Sequence, residues 1–351
     1  MRQGPVGGGA PGPGDLMAAE MAEQPAALSR LIARRAEFHD VVASLVPRPL
    51  AGVVLVARGS SDNAAVFARY VLEVASGRPV SLAAPSLHTA YETEIDYEGY
   101  LAIGISQSGE TPEVVSVLER LSAAGARTLG MSNRAGTPLE RAAEGALTLE
   151  VGDERAVPAT KTFTAELVAL AFVAEALGRA PWCEGDWESL PAAVEQVLAD
   201  GQSARSCAAA IAGSASLITV GRGYLYAIAL EAALKLKETT SIAAEGYSAA
   251  DLRHGPLVVV DPGFPAVAFC ARGPLFDDMR RLVRALEERT ASIVEVGDSD
   301  SADLRIPAGL PEALTAVPAV VRAQQLAHAT SLLKGLDPDR PAGLTKITRT
   351  R

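Results

Sequence analysis

The chain has 351 residues, 48% of them apolar, a formal net charge of −10 and three cysteines. This is enough for two ordinary domains or one large one, and the acidic balance without a basic block argues against a nucleic-acid partner. Cys183, Cys207 and Cys270 stand far apart with no CxxC pair, which excludes a disulfide scaffold or zinc ribbon and fits a reducing cytoplasm.

The opening MRQGPVGGGAPGPGD carries one arginine and no apolar h-region, so it does not read as a signal peptide. Its Gly/Pro content predicts disorder over residues 1–17, with Met17 and Met21 as alternative starts. Apolar residues at three- and four-residue spacing predict a helix over 18–45, which Pro25 kinks or restarts. From residue 46 the pattern changes. LAGVVLVARG is a continuous apolar run, as expected of a strand buried on both faces of a parallel sheet. AAVFARYVLEVASG is a helix, PVSLAAP a strand, SLHTAYE a loop or short helix, GYLAIGI a strand, TPEVVSVLERLSAAG a helix and ARTLGMSN a strand. ALTLEV precedes a helix over about 160–178. Within it, Glu166 and Glu175 interrupt the apolar run FTAELVALAFVAEALG, so it reads as a core helix and not a membrane span.

Strands alternating with helices predict a doubly wound α/β sheet, and the second half repeats the first. LVARG ends at Gly59 and TVGRG at Gly223; ISQSG ends at Gly109 and CARG at Gly273, the same spacing of 164 residues. The expectation is two tandem αβα domains, over 46–180 and 202–336, with a joint where Pro181, Trp182 and Pro191 interrupt the pattern. A tail follows over 337–351. The first copy keeps hydroxyls after its strands; the second has Tyr224, Leu225, Ala271 and Arg272 at the matching turns. One copy reads as a binder and the other as support.

Strand ends that run into helix N-termini expose N–H groups that the helix cannot satisfy, together with the positive end of its dipole. Hydroxyls beside them make a phosphate pocket. The turns RGSSDN (Ser60, Ser61) and SQSGET (Ser106, Gln107, Ser108, Thr111) sit at the carboxyl ends of parallel strands, where open α/β sheets bind ligands. Helix capping alone would explain one such turn; two favour a phosphate. A dinucleotide site is disfavoured because GRG at 221–223 lacks a third glycine, Tyr226 standing in its place, and no GxxxxGK[ST] motif occurs. In LEAALKLKE, Glu231, Lys235 and Glu238 share one helix stripe. A semi-buried carboxylate beside lysines is a candidate general base. His254 follows in the RHGP loop; His39, His88 and His328 have no such neighbours.

ISQSGET, VPATKTFT, LEAALKLKE, DLRHGP and DPDRPAGLTKIT together resemble the sugar-isomerase (SIS) family, and within it the isomerase part of glutamine–fructose-6-phosphate aminotransferases, from about residue 20 to the end. The resemblance implies flavodoxin-like parallel sheets. It implies phosphate binding by Ser61, Ser106, Gln107, Ser108 and Thr111, and proton transfer between carbons 1 and 2 by Glu238. It also implies ring opening by His254 donated from a neighbouring subunit of a homodimer, a supporting Lys235 on the catalytic helix, and Lys346 on a tail that closes over the sugar. Val157 and Ala159 match the sugar-contacting loop, with Ala159 where the pattern has serine. No glutaminase segment with its nucleophilic cysteine is found, so ammonia from glutamine is not expected. The expectation is therefore a cytoplasmic aminosugar-phosphate deaminase, with glucosamine 6-phosphate giving fructose 6-phosphate and ammonia. It calls for no metal or cofactor, because the protonated amine and the aldehyde already acidify the carbon-2 proton. Aldose–ketose isomerisation, dehydration of N-acetylglucosamine 6-phosphate, and a non-catalytic phosphosugar sensor are the rivals.

Overall fold

The structure is a computed structural model that describes residues 11–346 apart from 92 and 290. Two five-stranded parallel sheets form its frame. In the first, β1 (Gly52–Val56), β2 (Val80–Leu82), β3 (Tyr100–Ile105), β4 (Arg127–Ser132) and β5 (Gly145–Thr148) run in the order β2-β1-β3-β4-β5. In the second, β6 (Ser216–Gly221), β7 (Ala243–Ser248), β8 (Pro265–Cys270), β9 (Ser292–Gly297) and β10 (Leu304–Arg305) run β10-β9-β8-β6-β7, the same order in its own numbering. This is the doubly wound flavodoxin-like topology in two copies, as expected. All five residues of β1 are buried, which is why that strand reads as an apolar run without alternation. Gly59 and Gly223, which precede the first helix of each copy, share one backbone conformation, φ 62° and ψ −133° against φ 59° and ψ −131°. The other matched pair differs: Gly109 has φ 66°, whereas Gly273 does not lie in the left-handed region.

The sheets' helices merge into one core. The Ser60–Ser76 helix of the first copy packs on the Tyr224–Thr240 helix of the second, with the Phe67 and Tyr224 ring centroids 6.3 Å apart. Lys161–Leu177 is buried along most of its length. Its Phe172 meets Trp187 edge-to-face at 4.8 Å between centroids.

Several boundaries differ from the sequence expectation. The single N-terminal helix is three, Asp15–Ala22, Gln24–Ala33 and Arg35–Leu45, with Pro25 in the first turn of the second. The first begins inside the segment expected to be disordered, and Met17 is fully buried; residues 1–10 of that segment lie outside the described residues. The reason is long-range. Asp339 accepts from Leu16 N–H (3.0 Å) and Met17 N–H (2.8 Å), and Asp337 accepts from Gly14 N–H (3.2 Å). Two tail carboxylates thus satisfy the orphan donors at a helix N-terminus, so the tail up to Lys346 is anchored and does not behave as a frayed end. Likewise, the expected joint carries a helix, Glu184–Ala199, which tolerates Pro191 within it and buries Trp187. The long closing helix Glu312–Leu333 and strand β7 were not anticipated. No helix among the described residues is long and apolar enough to cross a membrane.

Candidate active site

A cleft of about 360 Å³ opens at the carboxyl end of the first sheet. Its floor is the pair of turns after β1 and β3. Gly59 precedes the Ser60–Ser76 helix and directs Ser60 and Ser61 into the cleft. Gly109 shapes the second turn. Its positive φ suits glycine, and a Cβ there would lie 2.5 Å from Thr137. Ser106, Gln107, Ser108 and Thr111 line the cleft around the N-terminus of the Pro112–Ala123 helix, with the Ser106 and Thr111 hydroxyls 2.9 Å apart. Two helix N-termini and a ring of hydroxyls converge on one volume, an environment suited to an anion.

The second copy supplies the opposite wall through its Tyr224–Thr240 helix. Glu231 and Lys235 are buried in the contact between copies. Glu231 accepts from Ser60 Oγ (2.9 Å) and Asn63 Nδ2 (2.8 Å), and it pairs with Lys235 Nζ at 3.4 Å. Lys235 Nζ also donates to Glu238 Oε2 at 2.5 Å, and Glu238, partly exposed, faces the cleft. Burial disfavours the Lys235 ammonium, but Glu231 and Glu238 outweigh it and raise its pKa. Burial likewise raises the Glu231 carboxyl, against the pull of Lys235. The stripe is therefore a charge triad with Glu231 and Lys235 buried and Glu238 at the cleft, and not a solvated helix face.

The tail forms the third side. Lys346 Nζ donates to Glu154 Oε2 (2.8 Å) and to the Ala156 carbonyl (2.7 Å), and Leu344 lines the cleft beside it. Glu154 is buried and also accepts from Thr160 N–H, Thr162 N–H and Thr162 Oγ1. Burial works against its charge, yet Lys346 and these donors hold its pKa below the usual value. Val157 and Ala159 follow on the same loop and line the cleft.

The cleft thus brings together Ser60, Ser61, Ser106, Gln107, Ser108, Thr111, Val157, Ala159, Lys235, Glu238 and Lys346. It does not include His254, which is exposed at the C-terminus of the Ala249–Arg253 helix, its N–H bonded to the Asp251 carbonyl. Sequence reasoning missed Glu154, Glu166 and Arg58. Glu154 lies in a loop without periodicity. Arg58, in the RGSSDN turn, lines the cleft and pairs with Glu113 at 2.7 Å. Glu166 was read only as an interruption of an apolar helix; an acidic residue held in a fully buried helix was itself the signal.

These features have counterparts in known proteins. The chain is 32% identical over 342 residues to the glutamine–fructose-6-phosphate aminotransferase (isomerizing) of Pyrococcus horikoshii. That match covers 94% of this chain and 57% of the relative, so the chain spans little more than half the length of the curated protein it resembles. A crystal structure of a candidate phosphosugar isomerase from Silicibacter pomeroyi superposes with a TM-score of 0.80 at 29% identity, covering 92% of this chain and 99% of that one. The C-terminal domain of the glucosamine–fructose-6-phosphate aminotransferase from Francisella tularensis gives 0.78 at 25%, covering 93% and 98%. Residues 52–176 and 210–305, which hold the two sheets and the cleft's floor and opposite wall, match the SIS domain, and the chain belongs to the SIS domain family.

Proposed function

We propose that the cleft binds an aminosugar 6-phosphate and transfers a proton between carbons 1 and 2, acting as a glucosamine-6-phosphate deaminase. The observation that carries this reading is the position of Glu238. Its carboxylate faces the cleft, is held by the buried Lys235 ammonium at 2.5 Å, and stands across from the hydroxyl-lined turns. Ser61, Ser106, Gln107, Ser108 and Thr111 take the phosphate. With that end fixed, the sugar's other end lies toward Glu238 and Lys346. Glu238 removes the carbon-2 proton of the open-chain aldehyde and returns it to carbon 1 through an enolamine. Water then hydrolyses the carbon-2 ketimine, releasing ammonia and fructose 6-phosphate. Lys346 presents an ammonium to the sugar from the tail, and Leu344 beside it limits access of water. Val157 and Ala159 shape the loop against the sugar.

His254 acts in this scheme from a second copy of the chain. Its exposure, away from the cleft of its own chain, supports a homodimer in which each subunit opens the ring bound to the other. The family resemblance supports a cytoplasmic setting. The experiment is incubation with glucosamine 6-phosphate and, separately, N-acetylglucosamine 6-phosphate, with ammonia, ketose and dehydrated products assayed together. Ammonia and fructose 6-phosphate in equal amounts from the free amine are expected. Ketose without ammonia, or a dehydrated product from the acetylated sugar, would replace deamination by isomerisation or elimination.

A further inference from the structure

Glu166 is the one acid on the cleft wall that the proposed chemistry does not use. It projects from the Lys161–Leu177 helix, is 2% exposed, and lines the cleft beside Ser61. Its Oε1 lies 2.8 Å from Ser61 Oγ. Its Oε2 is buried and has no hydrogen-bond partner among the described residues. An ionised carboxylate with one bare oxygen is costly in such a place.

Among the described residues, the cations of the cleft are all engaged elsewhere. Arg58, Lys235 and Lys346 share the cleft, but each is paired with another carboxylate: Glu113, Glu231 with Glu238, and Glu154. Lys161, on the same helix, pairs with Glu23. From the packed elements, Asp62 lies one residue past Ser61, Gln24 accepts from Thr164, and Gln324 donates to the Thr160 carbonyl. Arg35 and His39 meet Glu175 near the far end of the helix. Burial pushes the Glu166 carboxyl up to about 8, Ser61 opposes it, and the like charges of Glu154 and Glu231 add to it.

We propose that Glu166 is a positioning residue that stays protonated and donates a hydrogen bond from its carboxylic acid to Ser61 Oγ, which turns the Ser61 hydroxyl hydrogen toward the anionic end of the bound sugar phosphate. The O–O distance of 2.8 Å serves either direction of donation. With Glu166 ionised, Ser61 must donate to the carboxylate, and the phosphate meets an acceptor and a negative charge. With Glu166 protonated, the carboxylic acid supplies the hydrogen and Ser61 becomes a donor to the phosphate. No bond to carbon forms or breaks; Glu166 keeps its acid proton and Ser61 its hydroxyl hydrogen. The inference rests on the phosphosugar reading of the cleft and adds a pH control to it.

The sign follows from which form binds. Affinity is full below about pH 8, where Glu166 is neutral, and falls as pH rises above that value. A phosphate monoester is already dianionic above about pH 7, so its own titration does not mask the effect. Calorimetry with fructose 6-phosphate as probe tests this. The wild-type dissociation constant rises about tenfold between about pH 7 and pH 9, and at about pH 8.5, buffers of different ionisation enthalpy reveal proton uptake on binding. Glu166→Gln, whose amide can donate to Ser61, keeps most of the affinity at pH 7 and flattens the profile. Glu166→Ala loses about tenfold. Binding of fructose 6-phosphate with no proton uptake and an unchanged slope in Glu166→Gln would overturn the proposal and leave the phosphosugar reading standing. No binding of fructose 6-phosphate by the wild type would overturn both.

Discussion

Replacing Lys235 with methionine removes the only cation paired with Glu231 among the described residues while keeping the volume of the side chain. Both side chains of that pair are 1% exposed. Glu231 would keep the Ser60 and Asn63 hydrogen bonds but lose its counter-charge. Breaking a buried pair in this way costs about 3–5 kcal/mol. At roughly 2 °C per kcal/mol for a chain of this size, the midpoint falls by about 6–10 °C at neutral pH. The deficit depends on pH. The Glu231 carboxyl is already raised by burial, with Lys235 opposing, so removing Lys235 raises it further. A carboxyl whose folded pKa exceeds the unfolded one contributes stability that is full below the unfolded value and lost as pH rises through the folded one. The gap between Lys235→Met and wild type therefore narrows toward about pH 5. Adding Glu231→Gln removes the stranded charge, and the double variant recovers to within about 1–2 kcal/mol of wild type. Thermal scans of the four proteins at about pH 5, 7 and 8 supply the cycle. A single variant that loses less than about 1 kcal/mol at pH 7, with no pH dependence, would refute the description of Glu231 and Lys235 as a buried, mutually dependent pair.

Truncation separates the two roles of the tail. Deleting residues 344–351 removes Lys346 and most turnover; deleting 337–351 also removes the Asp337 and Asp339 contacts to the first helix and costs a further 2–4 kcal/mol, read as a second drop in thermal midpoint. Equal midpoints for the two truncations would show those carboxylates to be idle. Ser106→Ala with Ser108→Ala weakens sugar-phosphate binding by about 1.5–3 kcal/mol per lost donor with little change in midpoint; unchanged affinity in calorimetry returns both residues to helix capping. Mixing inactive Glu238→Gln and His254→Ala chains restores about a quarter to a half of the activity if dimers share their sites, a symmetry estimate, whereas no recovery in verified mixed dimers would mean that each chain supplies its own histidine.

The parts of this site that were legible in the sequence are those built from local pattern. RGSSDN and SQSGET stand out because hydroxyls follow apolar strands at once, and that juxtaposition sets both the strand end and the helix start. Glu231, Lys235 and Glu238 are spaced to share a helix face. The spacing could not say that the face was buried, because burial comes from the Ser60–Ser76 helix of the other copy. Glu154 and Glu166 take their character from distant partners: Lys346 lies 192 residues from Glu154, and Ser61 lies 105 from Glu166. The anchoring of the tail was hidden for the same reason. DPDRPAG has the composition of a loose end, and only Leu16 and Met17, across the fold, show what Asp339 does.

Exchange at carbon 2 tests the central claim most directly. Glucosamine 6-phosphate is incubated in deuterium oxide with wild type and with Glu238→Gln, and the recovered sugar and product are read by NMR. If Glu238 is the base, the wild type exchanges or transfers the carbon-2 hydrogen. Glu238→Gln still binds the sugar but loses exchange by about 10²–10⁴-fold. Wild-type exchange in Glu238→Gln would contradict the account.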